Sequence, residues 1–350
     1  MIRRVDGGVT IKFPSDFADI KKCADFINKN RIDIIYLSRE VNVERSDPRY
    51  EGDISLRFFE MIDDPTHVKE LMIGTNCVDY DTLYIFSALE KLVCTLPVGV
   101  TLDLSNFPML KDLSTDNLSA YKNLDDIMIQ ALSLYEKKPD FDLISRLTSL
   151  ENLNLEGTKG FRFSDIRTLY NLKQFGGFML DIQNLNDIED LKNLEHLCLF
   201  FCRKLENIER LSELKCLKTL SVAKCSKIID VSAIGKCQRL EKLSLDCVKN
   251  SDLTKLSTAT GLELLMLSAC GNATDLKFIQ HMLKLEFFSF VDTNILDGDL
   301  TPCLRLKYVG TLDKKHYNIK SIDLPHERTR FKQVNTNKFE AHEIDLSGEL

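Results

Sequence analysis

The sequence contains no tryptophan, and its aromatic content is carried mainly by 20 phenylalanines. It also has no strong basic run: 46 Lys and Arg stand against 53 Asp and Glu, for a net charge of −7. A phosphate backbone is held by clustered positive charge, so this balance speaks against nucleic-acid binding. No stretch of eighteen apolar residues occurs, which removes the expectation of a membrane-spanning helix. The opening residues Met1-Ile2-Arg3-Arg4-Val5-Asp6 are not followed by the apolar run of a signal peptide. On that reading the chain is cytoplasmic and its 11 cysteines are reduced thiols.

Several chemical signatures are missing too. There is no CxxC pair, and no histidine has a zinc-ligand spacing around it. Gly7-Gly8 and Gly176-Gly177 extend neither to G-x-G-x-x-G nor to a P-loop. Neither G-x-S-x-G nor H-E-x-x-H occurs. We therefore expect no catalytic residue, no cofactor and no metal. Hydrophobic residues at 44% and charged residues at 28% still describe a folded protein.

What the sequence has is a period. The segment Leu150-Glu151-Asn152-Leu153-Asn154-Leu155 has the form L-x-x-L-x-L, and it recurs from Leu194, Leu217, Leu240 and Leu262. Looser copies begin at Leu172, Leu285 and Leu306, so the starts from 150 onward are 21 to 23 residues apart. Upstream, Val68-Leu71-Ile73, Leu89-Leu92-Cys94, Leu110-Leu113 and Leu124-Ile127-Ile129 continue the pattern less regularly. Ile32-Ile35-Leu37 reads as one more rung, followed by an insertion at 39–53 rich in Arg, Glu and Asp. A second apolar series (Ile188, Leu191, Leu194, then Ile208, Leu211, Leu214) precedes the strands. A fixed period of this length marks a stack of units, none of which can bury its apolar face alone. Strands are expected at 151–155, 195–199, 218–222, 241–245 and 263–267, with Leu153, Leu197, Leu220, Leu243 and Leu265 inside.

This pattern resembles the leucine-rich-repeat family over residues 32–312, and its 22-residue spacing looks most like the internalin and phosphatase-regulator type. The resemblance implies an α/β solenoid: an arc of about thirteen coils, irregular before 150, with a concave parallel β-sheet and a convex face of short helices, 3₁₀ turns and loops. The family places a small polar residue three positions after the last strand leucine. Here that implies a buried ladder of Cys202, Cys225 and Cys270, with Thr158, Thr293 and Asn76 in other coils. By the same register Cys198 faces outward and Cys202 inward, so the two share no metal.

The ends lose the period. Residues 1–31 read as an N-terminal cap: Val9, Ile11 and Phe13 alternate as a strand, Ser15 is a candidate helix N-cap, and Phe17, Ile20, Ala24 and Ile27 keep helical spacing. Residues 313–350 read as a C-terminal cap and polar tail, with Tyr317, Ile319 and Ile322 closing the last coil and with 330–350 left open as ordered or not.

The family docks partners on the concave face, whose residues are the x positions of the motif. The second position runs Glu151, Lys173, Glu195, Lys218, Glu241, Glu263, Glu286, Lys307. Alternating signs on neighbouring strands stabilise a sheet by about 0.2–1 kcal/mol per pair. Glu241, Glu263 and Glu286 break the alternation, beside an apolar group of Leu264, Met266, Phe287 and Tyr308. These seven residues form the first candidate binding site. The second is Phe178, His196, Phe200 and Phe201, with Met179, unless Gly177 shifts the register and buries Phe178 or the C-terminal tail covers the first group. A lone histidine such as His196 is more often a polar contact than a ligand. The expected function is non-catalytic protein binding, by a chain that is a monomer on its own, to a partner with a basic surface. An inhibitor or immunity-type protein that occludes a toxin or enzyme is favoured over a regulatory or targeting subunit. An enzyme with the repeats as substrate arm is the third reading, for which no remaining segment is long enough.

Overall fold

The computed structural model describes residues 3–5, 8–13, 20–39, 54–249, 252–327, 331–334 and 341–344. The candidate N-cap Ser15, the helix residue Phe17, nearly all of the insertion and most of the tail beyond 327 lie outside them. The chain forms two units, Met1–Leu150 and Glu151–Leu350.

In the first unit, β1 (Arg3–Val5) pairs antiparallel with β2 (Gly8–Phe13). Helix α1 (Ile20–Asn30) then carries the chain over to β3 (Ile34–Arg39), which runs parallel to β2. Cys23, Ala24 and Ile27 form the buried face of α1. The helix stops at Arg31, whose positive φ of 47° lets the Ile32 N–H reach back to the Ile27 carbonyl at 3.3 Å, the bond of a Schellman ending. Strands β4 (Glu70–Gly74), β5 (Lys91–Cys94), β6 (Asp112–Thr115) and β7 (Ala131–Leu134) extend the parallel sheet.

The rung expected at Leu124-Ile127-Ile129 is corrected. Leu124 opens a 3₁₀ turn, and the strand's inward side chains are Leu132 and Leu134, preceded by buried Ile129. The starts at Leu110, Ile129 and Leu150 are then nearly even. The small residue at the turn of β4 is also one later than expected. Asn76 is exposed, and buried Cys77 directs its thiol to the Thr75 carbonyl at 3.5 Å.

The second unit stacks eight parallel strands: β8 (Asn152–Glu156), β9 (Gln174–Phe178), β10 (His196–Phe200), β11 (Thr219–Ala223), β12 (Lys242–Asp246), β13 (Leu264–Ser268), β14 (Phe287–Ser289) and β15 (Tyr308–Gly310). The expected strands each begin one residue later than their motif, because the backbone before that residue is still completing the turn. Leu153, Leu197, Leu220, Leu243 and Leu265 are all buried, and each such side chain contributes about 1.5–3 kcal/mol relative to exposure.

Gly177 occupies an inward position in register with Leu155 and Leu199, so it shifts nothing. The space is filled by Leu180, whose Cδ1 lies 2.7 Å from where a Cβ on Gly177 would stand.

After each of β9 to β13 the chain bends through one left-handed residue. Met179, Phe201, Lys224, Cys247 and Ala269 have φ between 50° and 57°. The N–H of each of the first four donates to the last strand carbonyl of the next coil, at 2.8–2.9 Å, and Ala269 N donates to Val291 O at 2.9 Å. These shared bonds hold the uncommon conformation in place. Beneath the bend, Cys202, Cys225 and Cys270 are buried, and each thiol has two carbonyls within reach of its one hydrogen, one in its own coil and one in the coil before. Thr293 does the same work in the next coil, donating to Leu267 O and accepting from Cys270 N, both at 3.1 Å. All eleven cysteines are free.

Residues 313–327 fold over the last coil. Tyr317 is buried, with its hydroxyl accepting from Ile295 N at 3.2 Å. Ile322, expected among the capping residues, is exposed, and Leu324 takes the buried place. Its alternate, polar neighbours turn Ile322 outward on a 3₁₀ turn, Ser321–Asp323.

Candidate protein-interaction face

The solvent side of the second unit's sheet is made of parallel columns, one residue per strand. The charge column largely behaves as its sequence suggests. Lys173 pairs with Glu151 at 2.9 Å and Lys218 with Glu195 at 2.8 Å. The first unit uses the same device, with Glu90 between Lys69 and Lys111. Glu286, at the end of the run of three that breaks the alternation, pairs with Lys307 at 2.9 Å. Among the described residues no salt bridge is formed by Glu241 or Glu263, which are exposed just before β12 and β13, although Glu241 lies within the field of Lys218.

The first apolar candidate is partly closed. Leu264, Phe287 and Tyr308 are neighbours in register, as expected, with Met266 beside them. Phe287, however, is only 6% exposed. It stands between half-buried neighbours on both sides, so it packs within the face and does not project from it. Tyr308 is half-buried, its ring 6.0 Å from that of His326. The chain's own residues Pro325–Glu327 run antiparallel along β15, with Val309 N bonded to Pro325 O and Glu327 N to Lys307 O. Leu264 and Met266 remain half-exposed.

The second candidate is open. Phe178 and Phe200 are in register on β9 and β10, and their rings stack 5.2 Å apart at 13°. Met179 and Phe201, at the left-handed bends beside them, are 48% and 43% exposed. The bend forces these two side chains outward, since the inward position in each coil is taken by the next residue, Leu180 or Cys202. His196 lies four residues along β10, with its side chain 23% exposed and its Nδ1 buried without a hydrogen bond. Burial holds its pKa below the ordinary 6.5, opposed by the Glu195 carboxylate. Glu195 is itself held below its ordinary value, first by the hydrogen bond from Lys218.

Two features were not foreseen from the sequence. Cys198, expected on the outer face, does sit there in register with Gly176 and Ser221. Yet it is fully buried, and burial pushes its thiol up to about 12. On β11 the solvent-side residues Thr219, Ser221 and Ala223 are buried as well. Their side chains are short, and the taller His196 and Phe200 on β10 shade them. The result is a dip over β11, between Phe200 on β10 and the half-buried Lys242, Ser244 and Asp246 of β12. The signal was in the sequence as a run of small residues, but it is meaningful only once neighbouring strands are aligned. The second unforeseen feature is Lys224, whose Nζ lies 3.0 Å from Asp246 and 2.8 Å from the half-exposed Cys247 thiol.

Among the described residues no group of three His, Cys, Asp or Glu is placed to hold a metal ion, and no helix is long and apolar enough to cross a membrane. A hollow of about 620 Å³ on the turn side is lined by Glu206, Ile229 and Asp230 among others. Two of its carboxylates are paired, Glu206 with Lys227 and Asp230 with Lys255.

No known family profile and no curated protein sequence matches the chain. Solved structures do. An internalin of Listeria monocytogenes, InlF, superposes with a TM-score of 0.55 at 16% identity, over 76% of this chain and 81% of that one. The functional domain of InlJ from Listeria monocytogenes, described as including a cysteine ladder, gives 0.48 at 15% identity over 91% of this chain and 77% of that one. A leucine-rich-repeat protein of Leptospira interrogans gives 0.47 at 15% identity, over 86% and 81%. Together with the period and the stacked parallel strands, the InlF superposition establishes the fold: this chain is a leucine-rich-repeat solenoid.

Proposed function

We propose that the chain is a non-catalytic protein-binding solenoid that docks its partner on the solvent side of the second unit's sheet. The observation that carries this is the stacked Phe178–Phe200 pair flanked by exposed Met179 and Phe201. Contiguous apolar surface of this kind marks interaction sites, and aromatic anchors supply most of the binding energy in such sites. The weight therefore moves from the Phe287–Tyr308 group to the Phe178–Phe201 group, with Leu264 and Met266 kept as a second contact. Eight strands at about 4.8 Å spacing make a face roughly 34 Å wide, enough to carry one side of an ordinary interface. Eleven free thiols suit a reducing, cytosol-like compartment.

Affinity purification from native cells with the wild-type chain and with Phe200→Ala/Phe201→Ala is the test. The partner should be lost from the double variant and kept by Ile229→Ala on the turn side. A partner kept by the double variant overturns the assignment of the face. Within this class we favour the occluding kind, an inhibitor or immunity-type protein, because a face this broad covers a partner's surface. An equimolar mixture should then suppress the purified partner's activity. Activity that is unchanged or redirected would make the chain a regulatory or targeting subunit instead.

A further inference from the structure

The C-terminal segment of the chain is long enough to cover part of this face itself. We propose that the two-stranded ribbon of residues 331–344 lies over Leu264 and Met266 and has to lift before a partner reaches them. Its place on the sheet is independent of the interface reading above; its effect on binding rests on that reading.

Strands β16 (Phe331–Val334) and β17 (Ala341–Ile344) pair antiparallel, with Phe331 opposite Ile344 and Lys332 opposite Glu343. Charge favours this pairing, since opposite charges at facing strand positions attract. Residues 328–338 contain Arg328, Arg330, Lys332 and Lys338 and no acid, whereas residues 340–350 contain Glu340, Glu343, Asp345 and Glu349 and no Lys or Arg. Pairing alone does not hold such a ribbon. Two strands of four residues each bury too little apolar surface to be stable in water, and they require another surface to pack on.

Which surface follows from where the chain leaves the cap. Pro325–Glu327 run antiparallel along β15, and Glu327 N donates to Lys307 O at 2.8 Å, one residue before that strand starts. Glu327 thus stands at the border of the sheet. Phe331 is four residues further on, up to about 13 Å away. Leu264 is two strands from β15, in register with Phe287 and Tyr308, and two strand steps make about 10 Å. Met266 lies two residues along β13 from Leu264. Leu264, Met266 and Tyr308 are half-buried around the buried Phe287, so they form one contiguous apolar surface. Leu312 and Ile322 are also exposed in this part of the chain, but singly. A ribbon gains most by covering contiguous apolar area.

The contact is small, so the ribbon lifts in dilute urea, before the coils open. Its removal therefore leaves the midpoint of global unfolding where it is. For binding, the ribbon is a competitor within the chain. A partner meets Phe178, Met179, Phe200 and Phe201 directly, but it meets Leu264 and Met266 only after displacing the ribbon.

Peroxide oxidation of methionine tests the position. Hydrogen peroxide transfers one oxygen to the thioether and leaves as water, at a rate set by access to the sulfur. In the full chain Met266 should be oxidised at least about fivefold more slowly than in Phe331→Asp/Ile344→Asp, read by mass spectrometry of its peptide. The exposed Met128 and Met179 should react equally in both chains, and the two urea midpoints should agree. Equal rates at Met266 overturn the placement of the ribbon. With a partner in hand, the ribbon variant should bind it several-fold more tightly, and unchanged affinity overturns the competition. If Met266 is shielded but the partner is retained by Phe200→Ala/Phe201→Ala, the ribbon stands and the interface reading falls.

Discussion

Single side chains in this molecule are placed by burial more than by chemistry. Leu243 is fully buried between Leu220 and Leu265 in register. Leu243→Ala should cost about 2–5 kcal/mol, the range for emptying a packed leucine site. Cys225 is equally buried, but its thiol already faces two carbonyls at 3.4 and 3.6 Å. Cys225→Ser should therefore cost less, because the hydroxyl finds the same acceptors. Urea titrations that rank the two in the opposite order would refute the register at this coil. His196 gives a pH dependence. Burial holds its folded pKa below the 6.5 of an unperturbed imidazole. As pH falls below 6.5 the unfolded chain takes up the proton first, so stability declines until the folded value is passed. The Glu195–Lys218 contact adds a loss at lower pH, since Glu195 is held below 4.5 and its contribution disappears on protonation. The urea midpoint should fall between pH 7 and pH 5.5, and His196→Gln should flatten that fall while leaving the midpoint above pH 7 nearly unchanged.

At the scale of the element, Gly177 is the informative position. Its φ is not left-handed, so space alone decides a substitution, and a Cβ there would meet Leu180 Cδ1 at 2.7 Å and Leu199 Cδ2 at 3.2 Å. Gly177→Ala should cost about 1–3 kcal/mol by overpacking. Adding Leu180→Ala removes the nearest clash, so the pair of costs should be clearly less than additive. Additive costs in a double-mutant cycle would mean that Leu180 does not fill the glycine's place. The period revealed which leucines point inward because alternation and spacing are set by the strand itself. It failed where a chance spacing imitated the motif: Leu124-Asp125-Asp126-Ile127 has the right form, but Ile129 has the right distance from Leu150. Counting three positions from Ile73 points to Asn76, whereas Cys77, one residue later, is the side chain turned inward at the bend. The candidate face was legible as columns of residues. Its relief was not, since the burial of Phe287, Cys198 and Thr219 depends on the height of side chains one strand away.

For the molecule as a whole, the question is how a stack of open coils ends, and the second unit answers it at its C-terminal side. Among the described residues the sheet has no strand beyond β15, and an uncovered edge with an open core invites pairing with another chain. Residues 313–327 cover both. Tyr317 and Leu324 are buried, Asn318 accepts a hydrogen bond from Leu300 N at 2.8 Å, and Pro325 O takes the Val309 N–H at the strand edge. The sequence shows only a loss of period here, since a cap is defined by what it covers and follows no repeat. A chain ending at Leu312 should lose at least about 3 kcal/mol, given some 1.5–3 kcal/mol for each of the two large side chains removed from the core. It should also form concentration-dependent oligomers through the freed edge and the exposed Phe290 and Ile295. A chain ending at Glu327 keeps every one of these contacts and should match the full chain in urea midpoint and stay the same size. Light scattering after gel filtration separates the outcomes. If the Leu312 chain is as stable and as monodisperse as the Glu327 chain, the segment is not a cap, and β15 must be closed by its own side chains.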